Sequence, residues 1–106
     1  MTLLRSEHNA RIHAVATVLV VTAGVLCQLE RWEWGLVSAA IGLVWTAEAL
    51  NASLEQLGDA ISRAPHPAIG RAKELAAGAV LASALGAAGL GLVVFGPRLG
   101  TLVGMP

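Results

Sequence analysis

The sequence predicts an all-α integral membrane protein, with three transmembrane helices in one domain covering residues 1–106. Three observations carry that expectation. Hydrophobic residues make up 56% of the chain and charged residues only 13%, against roughly a quarter charged in a soluble domain. Three stretches are almost free of formal charge: residues 12–29 (18 residues), 34–54 (21 residues, interrupted by Glu48 alone) and 75–97 (23 residues). As helices these runs reach roughly 27–35 Å, which matches a hydrocarbon core about 30 Å thick. No residues remain for a fourth span. The helices are expected near residues 10–29, 34–61 and 69–96, preceded by a short amino-terminal surface segment.

The first run ends in Gln28-Leu29-Glu30-Arg31, which offers no small-residue cleavage site, so it reads as a span and not as a removed leader. Residues 30–33 form the first turn, and Trp32 and Trp34 beside it suit an interface, where an amphipathic indole is favoured. Trp45 reads as a second interfacial anchor or a lipid-facing residue. After the second run, Ser62-Arg63-Ala64-Pro65-His66-Pro67 breaks the helix, because two prolines in a helix interior would forfeit backbone hydrogen bonds. The third run is crowded with alanine and glycine, and spacings such as Ala82-x-x-x-Gly86 allow backbones to approach closely.

Basic residues set the orientation. Arg5 and Arg11 precede the first run, and Arg63, Arg71 and Lys73 surround the second loop, against Arg31 and Arg98 on the other side. The amino terminus and the second loop are therefore expected in the cytoplasm, in the inner (plasma) membrane. Seven basic residues balance seven acidic ones, which excludes a nucleic-acid partner, since a phosphate-binding surface needs a basic excess. Cys27 is the single cysteine. It excludes an intrachain disulfide and a multi-cysteine metal site, and is expected to pack as a small apolar side chain.

The chemistry concentrates in residues 48–59. Glu48, Asn51, Glu55 and Asp59 are spaced three, four and four apart, so they fall within roughly 80° on one helix face. An acid inside a span costs on the order of 3 kcal/mol on insertion scales, and like charges on one face repel. A cation among the carboxylates offsets both costs. Magnesium prefers such hard oxygen ligands, often one or two carboxylates together with substrate phosphates. Arg71 and Lys73 follow just past the proline loop, where they can meet a polyphosphate, and Glu7 adds a carboxylate at the same membrane face. No His-x-x-x-His pair supports a histidine metal site, and no phosphate-binding loop, dinucleotide fingerprint or soluble kinase signature is present.

Several segments, in order, resemble one family. Ser6-Glu7-His8-Asn9-Ala10-Arg11-Ile12-His13, Glu33-Trp34, Glu48-x-x-Asn51-x-x-x-Glu55-x-x-x-Asp59, His66-Pro67 and Ala72-Lys73-Glu74-x-Ala76-Ala77-Gly78-Ala79-Val80-Leu81 are similar to the corresponding pieces of the prokaryotic diacylglycerol kinases and their undecaprenol kinase relatives. The resemblance covers about residues 6–98. It implies a homotrimer with three spans per chain that uses ATP and magnesium to phosphorylate a lipid hydroxyl, of diacylglycerol or undecaprenol. By the same resemblance Glu48 is the catalytic base, and Glu7 and Glu55 hold the metal. Lys73 and Glu74 contact the ATP phosphates, Ala64, Pro65 and His66 lie near the nucleotide, and Asn51 and Asp59 are supporting polar residues. Here the pair is Lys73-Glu74 where the family usually has Lys-Asp, and only residues 1–5 precede the Ser-Glu motif.

The resulting expectation is direct phosphoryl transfer, in which positioning and electrostatics do most of the catalysis. Two other classes stay compatible with the residues. One is a homologue that assembles as a structural membrane subunit without catalysis, which the short amino terminus favours. The other is a small proton-coupled transporter working through Glu48.

Overall fold

In a computed structural model the backbone is described for residues 2–102 and the side chains for residues 10–101. Three helices follow one another: α1 (Thr2–Leu26), α2 (Arg31–Ile61) and α3 (Pro67–Leu102). They form a rod of 57 × 23 × 21 Å. Among the described residues α1 and α3 each pack on α2 and not on one another. Helices α2 and α3 are long and apolar enough to cross a membrane, and the described part of α1, Ala10–Leu26, is a shorter apolar helix. At about 1.5 Å per residue, the 31 residues of α2 and 36 of α3 exceed a hydrocarbon core. Their ends therefore project into headgroups or water. The amino-terminal surface segment is not a separate element, because α1 is helical from Thr2 onward.

Helix α1 stops three residues before the expected end, and the reason is a Schellman turn. Gln28 adopts a left-handed backbone with φ 54°. The Gln28 N–H donates to the Val25 carbonyl at 3.2 Å, and the Leu29 N–H donates to the Gly24 carbonyl at 3.2 Å. These are the two bonds that satisfy orphan carbonyls at a helix end. Leu29 then folds back over Gly24, where a Cβ would lie 3.0 Å from Leu29 Cδ1 and 2.7 Å from Trp34 Cη2. Only glycine lets the turn and the start of α2 approach so closely. Cys27 is carried on the outside of this turn and is exposed, so the expectation that it packs in an apolar interior is corrected.

Helix α2 starts with the Glu30 N–H donating to Glu33 Oε1 at 2.9 Å, while Trp32 Nε1 donates to Glu30 Oε2 at 2.9 Å. Glu33 is also gripped from α3, where Arg98 Nη2 donates to Glu33 Oε1 at 2.6 Å and Nη1 donates to Oε2. Both groups flank the uncharged runs. The Arg98 hydrogen bond, then the Glu30 backbone N–H, hold the Glu33 carboxyl below its ordinary value. Arg98 is available there because α3 continues through Pro97, beyond the end expected near residue 96.

At the opposite end, Pro67 begins α3, where its missing N–H costs nothing and its fixed φ suits the first turn. His66 precedes it. Its Nδ1 accepts the Ile69 N–H at 3.4 Å and its carbonyl accepts the Gly70 N–H at 2.8 Å. Helix α3 turns Ala76, Ser83 and Val94 into the bundle, residues two and three helical turns apart on one stripe. A small core of Leu29, Val37 and Val94, with Trp34, Ile41 and Phe95 against it, sits toward the Schellman-turn end. A Cβ at Gly86 would meet Leu43 at 3.8 Å, whereas Gly78, Gly89 and Gly91 face open space. The small-residue stripe is thus only partly used between α2 and α3.

Candidate active site

The polar face of α2 descends toward the proline-loop end. Glu48 is buried, 8% exposed, within the apolar part of the helix. Asn51 and Glu55 are half-buried on the next turns, and Asp59 is half-buried near the helix end. The eleven steps from Glu48 to Asp59 correspond to about 16 Å of helix, so the stripe connects an apolar level to a polar one.

Helix α3 meets the lower half of this stripe. Lys73 Nζ donates to Asp59 Oδ1 at 2.7 Å, and both side chains are about two-thirds or more covered. Gly58 makes this possible. A Cβ there would lie 2.9 Å from Ile69 Cγ2 and 3.1 Å from Lys73 Cε, so the absence of a side chain lets the lysine stem pass across α2. Glu74, one residue on, is exposed. Ala64, Pro65 and His66 are exposed in the loop beyond, on the same end of the bundle, with His66 engaged as the cap of α3.

Helix α1 meets the upper half. His13 Nε2 lies 3.4 Å from Glu48 Oε2, at the long edge of a hydrogen bond. The His13 ring stacks, tilted, on Trp45 with centroids 5.8 Å apart. Trp45 Nε1 donates to Thr17 Oγ1 at 2.9 Å, and Thr17 Oγ1 donates to the His13 carbonyl at 2.7 Å. Trp45 is therefore half-buried between helices, which corrects its reading as a lipid-facing anchor. His13 and Thr17 from α1, Val37 and Trp45 from α2, and Gly91 and Phe95 from α3 line an apolar cleft of about 440 Å³ among the three helices.

This network was not legible as a site in the sequence. A histidine was weighed there only as a metal ligand, and His13 and Glu48 are 35 residues apart. The available signal was that both are polar residues set into otherwise uncharged runs.

The chemistry of the donor set suits a hard cation. Asn51 Oδ1 is buried without a hydrogen-bond partner, and Glu55 sits one turn along on the same face. Oxygen donors of this kind match magnesium. Among the described residues no three His, Cys, Asp or Glu side chains gather into a metal cluster, and the Glu7 side chain lies outside the described residues.

Comparisons with known proteins identify the family. The model of the family described as prokaryotic diacylglycerol kinase matches residues 1–95. The undecaprenol kinase of Bacillus subtilis is 37% identical over 95 residues, which are 90% of this chain and 77% of that protein. The diacylglycerol kinase of Synechocystis sp. is 34% identical over 99 residues, 92% of this chain and 57% of that protein. No solved structure matches the chain.

Proposed function

The chain belongs to the prokaryotic diacylglycerol kinase family and is a membrane lipid kinase, and from that premise we propose that it transfers the γ-phosphate of ATP to the hydroxyl of undecaprenol or diacylglycerol, with Glu48 as the general base. The observation that carries the reading is the graded polar face of α2. A buried carboxylate, Glu48, is linked turn by turn to Asn51, Glu55 and the Asp59–Lys73 ion pair near the proline loop.

The gradient fits the two substrates. A lipid hydroxyl rides at the top of hydrocarbon, so its proton must be accepted by a group set just inside the apolar layer, as Glu48 is. ATP is water-borne and polyanionic, so its phosphates are met lower down, by Lys73, whose ammonium gives charge-assisted hydrogen bonds to phosphate oxygens. Glu74 and the loop residues Ala64, Pro65 and His66 border the nucleotide. Glu55, with Glu7 and the amide oxygen of Asn51, would hold magnesium, which would supply positive charge against the ATP phosphates. Glu48 takes the hydroxyl proton as the oxygen attacks the γ-phosphorus, and the bond from that phosphorus to the β,γ-bridging oxygen breaks to release ADP. Lys73 must leave Asp59, at least in part, to reach a phosphate, and Asp59 keeps it near the site meanwhile. The chain works as a homotrimer in the plasma membrane with its amino terminus and second loop in the cytoplasm, on the same side as ATP.

The test is labelled-ATP transfer by the purified protein in detergent, with magnesium and each lipid in turn. Phosphate is expected in one lipid or both. The Glu48→Gln variant is expected to lose about 10²–10⁴-fold in kcat while still binding nucleotide. Label in neither lipid, or near-normal turnover by Glu48→Gln, refutes the assignment.

A further inference from the structure

The proposed base does not stand alone in its apolar layer. The Glu48 carboxylate faces the imidazole of His13 on a different helix, and His13 is itself contacted twice more, at its ring by Trp45 and at its backbone carbonyl by Thr17. Trp45, less than one turn before Glu48 on α2, stacks on its ring. Thr17, one turn after His13 on α1, ties its hydroxyl both to the His13 carbonyl and to the Trp45 indole. His13, Trp45 and Thr17 thus close a ring of contacts across the α1–α2 packing, with Glu48 joined to it through His13. His13 also lines the apolar cleft among the three helices.

Resting on Glu48 as the base, we propose that His13 is its positioning residue: its Nε2, donating to the Glu48 carboxylate from a ring set against Trp45, selects the Glu48 rotamer that presents the carboxylate to the lipid hydroxyl. Two physical reasons support this. A carboxylate on a three-bond side chain samples many rotamers, and a base works only within hydrogen-bond reach of its proton. Inside an apolar layer a carboxylate needs a hydrogen-bond donor, and the imidazole N–H supplies one from the neighbouring helix. The tilted indole limits the freedom of the imidazole, and Thr17 in turn holds the indole. Such support of a reacting group by a locked neighbour is what keeps a site within its productive geometry.

The experiment compares five proteins in detergent with labelled ATP, magnesium and whichever lipid the wild type phosphorylates. These are wild type, His13→Phe, His13→Gln and the pair Glu48→Gln with and without His13→Phe. Phenylalanine keeps the ring on Trp45 and loses the donor, while glutamine keeps a donor. Folding is read from oligomer size and Trp emission. His13→Phe is expected to lower kcat by about 10-fold or more with KM for ATP unchanged, and His13→Gln to recover most of it. In the Glu48→Gln background His13→Phe is expected to cost nothing further, because both act through one carboxylate. A folded His13→Phe with wild-type kcat beside a slow Glu48→Gln overturns the positioning role alone, as does an additive loss in the double variant. Should phenylalanine prevent folding, a folded His13→Gln as slow as Glu48→Gln overturns it equally. Near-normal turnover by Glu48→Gln instead overturns the base assignment on which the role depends.

Discussion

Gln28 is a non-glycine residue in the left-handed region, and the turn it closes sets where α1 ends. That conformation costs an L-residue roughly 1 kcal/mol. Gln28→Gly is therefore expected to stabilise the folded protein by about 0.5 kcal/mol, the unfolded-state entropy of glycine offsetting the rest, which thermal unfolding in detergent measures. Lys73 makes the opposite kind of contribution. Its ion pair with Asp59 is partly exposed and worth little to stability, but its charge is needed by the phosphates. Lys73→Gln is expected to leave the melting temperature almost unchanged and to raise KM for ATP by about 10-fold or more, the scale of a lost charge-assisted hydrogen bond.

Between elements, two contacts fix how α3 lies on α2, one at each end. At the proline-loop end it is Gly58. Gly58→Ala pushes a methyl into Ile69 and the Lys73 stem, so α3 must shift or the lysine must leave its track. Weaker ATP binding is expected, with little change in the helix content seen by circular dichroism. At the other end it is Glu33 with Arg98. A carboxyl held below its ordinary value in the folded state binds its proton later than in the unfolded chain. The stability it confers is present above the unfolded value, near 4.5, and is lost as pH falls through the lowered folded value. Arg98→Gln is thus expected to lower the melting temperature at neutral pH and to narrow its difference from wild type on acidification below about 4.5. A difference that stays constant with pH would assign Arg98 a packing role instead.

At the scale of the molecule, the apolar surface remains largely open. Leu, Ile and Val side chains along α1 and α3, among them Val18, Leu19, Leu81, Leu85 and Leu92, are more than half exposed. A rod of this kind is soluble only in lipid or detergent. Its two ends carry different chemistry, the Schellman turn with exposed Cys27 at one and the basic proline loop at the other. In sealed vesicles of known orientation, a membrane-impermeant thiol reagent is expected to label Cys27 from outside. A cysteine placed at Ala64 in a Cys27→Ser background is expected to be labelled only from the cytoplasmic side. Labelling of position 64 from outside would invert the topology and separate the site from ATP.

What the sequence determined by itself was the number and order of the helices, the membrane as solvent, the break at Pro65 and Pro67, and the acidic face of α2. Each of these follows from local composition or helical periodicity, which act within a few residues of one another. The family resemblance had the same origin, since its motifs are short runs, and the family match bears it out. Where α1 stops, and how far α3 runs past Pro97, needed the tertiary structure, because a turn's hydrogen bonds and a partner such as Glu33 for Arg98 decide them. The pairing of His13 with Glu48, the passage of Lys73 across Gly58, and the turning of Trp45 into the bundle are likewise decisions of packing. They join residues from different helices, and no periodicity within a single helix encodes which face its neighbour will present.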